Sequence, residues 1–430
     1  MRNVALFGLM AAALCAVGFL SSWSEALGIL NLCLISAIMA LGVNMQWGYA
    51  GLFNVGIMGF AALGGVAAVL VSMPPVAETW AVGGAGIGFT LLVLATTIAF
   101  TLFVRAKLIG RARKWATVAC VVIGYFAIRE VFDPAVDAIE AVDAAKTGYL
   151  GGLGLPILLA WIVGGAFAAG AAWLVGKIAL GLRADYLAIA TLGIAEIIVA
   201  LLKNEDWLAR GVKNVTGLPR PVPYEVELQA APWFNDLALR LGGDTMSLAS
   251  IFVKLCYAAL FTIVLLIVLW LAERALKSPW GRMMRAIRDN RDAAAAMGKN
   301  VTRRHLQVFV LGSAVVGLAG AMMTTLDGQF TPGTYQPLRF TFLIWVMVIV
   351  GGSGNNWGSI LGGFLIWFLW IEAEPIGRWL TETLGNWLPA DSPIKAQLTD
   401  AAAYLRPLLM GTILLVVLRF SPKGLIPERH

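Results

Sequence analysis

The chain has 430 residues, 59% of them hydrophobic and 13% charged, with a net charge of +7. Globular domains average roughly 45–50% apolar and about 25% charged residues, so a soluble domain with a solvated surface is excluded. Apolar runs of about 20 residues, the length a helix needs to cross a bilayer, recur from one end to the other.

Twelve candidate spans lie near 4–20, 25–44, 52–72, 83–104, 115–132, 155–176, 184–203, 250–272, 305–326, 339–352, 357–371 and 404–420. Hydrocarbon offers backbone groups no partner, and the runs lack the alternation of barrel strands, so they predict helices. The expected fold is an all-α polytopic transmembrane bundle of about 10–12 membrane helices in one domain, 1–430. Residues 1–26 have a leader-like arrangement, with Arg2 before an apolar core, and are read as a retained first helix. Cys15, Cys33, Cys120 and Cys256 sit in apolar runs without metal-ligand spacing and are read as packing residues.

Polar residues inside spans are expensive and face a bundle interior or a watery cavity. Asn44, Gln46 and Asn54 flank a glycine break at 48–51, where loosened backbone could meet a solute or the side chains could simply bond neighbouring helices. Thr191 and Glu196 share the next polar run, as pathway groups or as helix-bridging ones. Asn355 and Asn356 are placed to cap the helix starting near Trp357. Asp327 and Gln329 fall at a helix end.

Basic residues in short loops mark the cytoplasm. Residues 105–114 hold five of them, and 273–304 carry nine basic against three acidic side chains. The tail adds Arg419, Lys423 and Arg429, whereas 129–146 holds five acids and two bases. With both termini cytoplasmic, the twelve spans put every basic cluster inside and the acidic stretch outside. Longer periplasmic segments then run over 204–249 and 372–403, the second with Trp379 and Trp387 at headgroup level.

Within 273–304, Ser278 suits an N-cap, Pro279 the first helical position and Gly298 a left-handed close, predicting one helix between them. Met283, Ile287, Ala294 and Met297 share one side, and Arg285, Arg288 and Arg291 another. Such a helix fits either an anionic lipid surface or a soluble partner. Arg285 with Asp289, and Arg288 with Asp292, are spaced to pair and to fix the arginine forks for a specific surface.

The stretch "DAAAAMG", 292–298, resembles the cytoplasmic loop signature of ABC importer permeases, with Asp292 for the usual glutamate. Together with "GLRADYLAIATLGIAEII", "VIVGGSGNNWGSILGG" and "RFSPKGL", in that family's order, the chain resembles the LivM-type permease of branched-chain amino-acid importers over about 25–75 and 155–430. Gly56 and Ile57 depart from the family's glycine and histidine, and 76–154 reads as an insertion with two extra helices. The resemblance implies a bacterial inner-membrane half-channel paired with a homologous second permease, two ATP-binding subunits and a periplasmic solute-binding protein. ATP and Mg would sit on those partner subunits, with no cofactor in this chain. It also implies that Arg285, Arg288, Asp289, Arg291, Asp292 and Gly298 form the ATPase-coupling segment, while Asn44, Asn54, Thr191 and Glu196 are offered for the pathway.

No G-x-x-x-x-G-K-[ST] phosphate loop is present, so no motor is expected here. His305 and His430 are the only histidines, and no acid, base and nucleophile gather, so an enzyme is not expected; nor is nucleic acid a partner. The rival reading is a secondary transporter driven by an ion gradient, with Glu196 as the carrier.

Overall fold

The computed structural model describes residues 2–143, 147–385 and 404–428. Each of the twelve apolar runs falls in a helix. We number the helices α1 (Arg2–Leu20), α2 (Trp23–Ala50), α3 (Ile57–Ser72), α4 (Ala77–Lys107), α5 (Gly110–Ala141), α6 (Ile157–Ala179) and α7 (Ala184–Asn204). After them come α8 (Thr245–Lys277), α9 (Pro279–Asp289), α10 (Arg291–Ala296), α11 (Val301–Asp327), α12 (Leu338–Gly351), α13 (Asn356–Gly385) and α14 (Leu405–Phe420). Among the described residues nine are long and apolar enough to cross a membrane, and α3 and α12 are shorter apolar helices. Local chemistry sets the ends: Ser22 accepts from Glu25 N to start α2, and Asp244 accepts from Ser247 N to start α8.

The core is α2, α3, α6 and α11, with α8 and α13 against α2. Lipid tails supply little hydrophobic drive between membrane helices, so close backbone approach supplies the attraction. Gly64 of α3 shows the requirement, since a Cβ there would land on the carbonyl oxygen of Gly317 in α11. By contrast α4 and α5 pack on each other: within the most apolar stretch of each helix 11% and 6% of residues are buried, against 78% in α2. The pair meets the rest through Trp80 Nε1, which donates to Leu150 O at 2.9 Å, and through Glu140, which accepts from Trp207 N at 3.2 Å.

Several expected boundaries shift. The basic loop at 105–114 shrinks to two residues between α4 and α5, and most of the acidic stretch after 129 lies on α5, which continues through Pro134 to Ala141. Likewise α13 passes Pro375 and reaches Gly385, so the first part of the 372–403 segment is helix. Trp387, like Arg429 and His430, lies outside the described residues. Segment 204–249 folds into short helices at Glu225–Ala230 and Pro232–Leu241, and a two-residue strand β1 (Val215–Thr216) pairs antiparallel with β2 (Gln329–Phe330).

The two ends of the bundle therefore differ. One carries β1, β2 and the 204–249 segment. At the other the two ends of the described chain meet, with Arg2 Nη2 donating to Leu425 O at 2.8 Å. The elbow α9–α10 lies at that same end.

Candidate functional site

Between α2 and α3 the chain runs non-helically through 51–56, inside the bundle. Gly51, at φ +67°, closes α2 in the left-handed conformation open to glycine. Buried backbone groups there need partners or cost free energy. Side chains from two helices supply them. Thr191 of α7 accepts from Val55 N at 3.1 Å, Thr341 of α12 donates to Val55 O at 3.1 Å, and Trp345 donates to Asn54 O at 2.9 Å. Asn54 donates to Gln46 Oε1 at 2.9 Å and accepts from Gly56 N at 2.9 Å. Gln46 in turn donates to Phe309 O and Ser313 Oγ of α11.

A second break, 352–355, lies against the first. Gly352 and Gly354 have φ of +121° and +82°. Asn44 joins the two, accepting from Gly354 N at 2.9 Å and donating to Asn356 Oδ1 at 3.1 Å. Asn356 donates on to Glu273 at 3.0 Å. Asn355 caps α13, accepting from Trp357 N at 3.0 Å. The tail then clasps this break: Leu425 N and Ile426 N each donate at 2.9 Å, to Val350 O and Gly351 O. The turn in "RFSPKGL" makes that return, with Gly424 at φ +80°.

The elbow is two helices where one was expected. Asn290 is extended (φ −152°, ψ 100°) and its side chain accepts from Ala293 N, which starts α10 afresh. Ser278 does not cap α9, because its hydroxyl donates back to Ala275 O at 2.6 Å. Gly298 takes the left-handed conformation expected of it, φ +76°. The break also cancels the Arg288–Asp292 pair, and Arg288 turns inward. It donates to Gly48 O, to Glu428 at 2.9 Å and to Asp289 at 3.1 Å. Burial would lower its pKa, but the bonds from Glu428 and Asp289 outweigh that and hold it above its ordinary value. Arg285 reaches Leu276 O at 3.5 Å rather than Asp289.

The rest of the expected coupling set is outside. Asp289, Arg291, Asp292 and Gly298 are exposed, and α10 has no buried residue. The apolar side is split as well: Met284 and Ile287 are buried under α9, whereas Met297 is 79% exposed. Of the pathway candidates, the structure joins Asn44, Asn54 and Thr191 around the breaks and leaves Glu196 apart. Glu196 is exposed on α7, one position after Ala195, which packs on Gly59. Sequence reasoning named Gly48 only as the start of a break and missed Glu428, Thr341 and Trp345. Only Glu428 had a nearby signal, the turn just before it.

The family model for the branched-chain amino acid transport system / permease component matches residues 116–418. The chain belongs to that family. The high-affinity branched-chain amino acid transport system permease protein LivM of Escherichia coli is 31% identical over 238 residues, 53% of each chain. A probable branched-chain amino acid transport permease LivM of Methanocaldococcus jannaschii is 28% identical over 157 residues, 36% of this chain and 42% of that one. The fructose import permease FrcC of Rhizobium meliloti is 25% identical over 114 residues, 26% and 31% of the two chains. The matched part thus spans about half the length, or less, of these curated relatives. No solved structure gives a significant match. The permease family match begins inside α5, so it takes in part of the stretch that reads as an insertion.

Proposed function

We propose that this multi-pass chain is the translocation subunit of an ATP-driven importer in the bacterial inner membrane. Its substrates would be branched-chain amino acids or related small amphipathic solutes. A homologous second permease, two ATP-binding subunits carrying ATP and Mg, and a periplasmic binding protein complete the assembly. The elbow and both termini face the cytoplasm in this reading, which puts β1, β2 and the 204–249 segment outside. The outer surface of the hairpin α4–α5 meets lipid in this reading.

One observation carries the mechanism: α10 is bare, while α9 is bonded through Arg288 to the carbonyl of Gly48, in the last turn of α2 before the break. Force on α10 reaches the end of α2 through that bond. From there it meets a segment held by Thr191, Thr341 and Trp345 of two other helices. Helical backbone is stiff, whereas 51–56 is held by single side-chain bonds, so the relative tilt of α2, α3, α7 and α12 changes there. Alternating access follows from that tilt. Asn44, Asn54 and Thr191 thus position the hinge and need not touch solute.

The ion-gradient reading needs Glu196 among polar groups within the bundle, and its outward place on α7 argues against it. The test is uptake in vesicles holding the assembled complex. ATP with no ion gradient should drive accumulation; a gradient without ATP should not. Accumulation that needs the gradient and ignores ATP overturns the proposal.

A further inference from the structure

A cavity of about 880 Å³ opens at the elbow end, between the first two turns of α1 and the last turn of α8. It is amphipathic. Val4, Phe7 and Trp357 give it apolar walls, and Glu273, Glu428, Lys277 and Arg285 give it two carboxylates and two cations. Its depth is marked by two exposed tryptophans, Trp270 one turn before Glu273 and Trp357 at the start of α13. Exposed tryptophans gather at the headgroup level of a bilayer. The α1 side is open: a Cβ on Gly8 would meet nothing within 4 Å, and α1 packs on α2 and α13.

The ionic groups keep capacity in reserve. Among the described residues Arg285 makes one hydrogen bond, at 3.5 Å to Leu276 O, which leaves most of its fork for a ligand. Lys277 holds Glu273 at 3.1 Å yet is 78% exposed. Glu428 engages Arg288 through Oε2, leaving Oε1 for a cavity ligand. A phosphate suits the two cations and a primary ammonium the two carboxylates, since ionised donors and acceptors make the stronger hydrogen bonds. Among the groups lining the cavity the two signs are equal, with Arg288 turned away behind Glu428 to Gly48 O, so a ligand carrying both charges fits.

We infer that this cavity holds the headgroup of a zwitterionic aminophospholipid of the phosphatidylethanolamine class. Its phosphate lies on Arg285 and Lys277, its ammonium on Glu273 and Glu428, and its acyl chains leave between α1 and α8. The site is independent of what the chain transports. Through Glu428 the lipid shares a residue with the Arg288 contact, so an occupied cavity braces the elbow.

The full chain as isolated from membranes is stripped of lipid and titrated with phosphatidylethanolamine, phosphatidylcholine and phosphatidylglycerol, with native mass spectrometry as the readout. Phosphatidylethanolamine should bind about tenfold more tightly than either, the order of one charge-assisted hydrogen bond. Glu273→Gln, which takes one carboxylate from the ammonium and keeps an oxygen for Asn356, should lose that preference, whereas the double variant Lys277→Gln, Arg285→Gln should weaken all three lipids. Gly8→Phe, built into open space and so compatible with folding, should block the cleft and weaken phosphatidylethanolamine binding by a similar factor. Equal binding of the three lipids, tighter binding of phosphatidylglycerol, a preference that survives Glu273→Gln, or a protein segment found in the cavity would each overturn the assignment.

Discussion

α9 and α10 are neighbours in sequence and both carry arginine and aspartate, yet the bundle treats them oppositely. α9 buries Met284 and Ile287 and sends Arg288 to Gly48 and Glu428, whereas α10 buries nothing. The difference arises at Asn290, whose extended backbone ends one helix and whose side chain starts the next. One continuous helix would have carried Arg288 and Asp292 on one face. Two helices separate an anchor from a contact tip, and the arginines cannot be grouped by type alone.

Variants can break or sharpen that contrast, ranked by expected loss of stability. Arg288→Glu in the anchor sets two carboxylates against each other in a half-buried site; thermal unfolding should show a loss of about 3 kcal/mol, as when one partner of such a pair is removed. Adding Glu428→Arg should restore part of it. A smaller loss is expected for Thr191→Val, which keeps the shape but strips Val55 N of its acceptor, about 1–3 kcal/mol in the same assay. For the tip, the charge reversal Arg291→Glu, Asp292→Arg should leave the unfolding transition within about 0.5 kcal/mol of wild type, as surface changes do. Transport by the assembled complex should nonetheless fall sharply while ATP hydrolysis persists. Glu196→Gln should change ATP-driven uptake by no more than about twofold, the scale of a surface substitution. Abolished uptake there would return Glu196 to the pathway.

Much of the fold was legible because hydrocarbon allows the backbone few options, and twelve apolar runs became helices in place. Boundaries were harder to read. The spans drawn at 115–132 and 357–371 end before Pro134 and Pro375, yet α5 and α13 run through them. Proline's lost hydrogen bond is tolerated in membrane helices when neighbouring groups compensate. A break was visible at 48–51 as a glycine cluster, just before the non-helical 51–56, but its contact with 352–355 was not. Asn44 meets Gly354 across 310 residues and Arg288 meets Glu428 across 140, and no local pattern encodes such pairings. Glu196 misled for a related reason: an acid in an apolar run shows that water or a partner is near, without saying on which side of the helix.

Cross-linking from position 297 tests the coupling claim most directly. Met297→Cys, placed in a chain whose four natural cysteines are replaced, carries a short thiol-directed cross-linker in the assembled membrane complex. The account predicts a covalent product with an ATP-binding subunit whose yield changes when nucleotide is added. Products with lipid alone, or modification of the introduced thiol by an impermeant reagent supplied from the outer side, would contradict it.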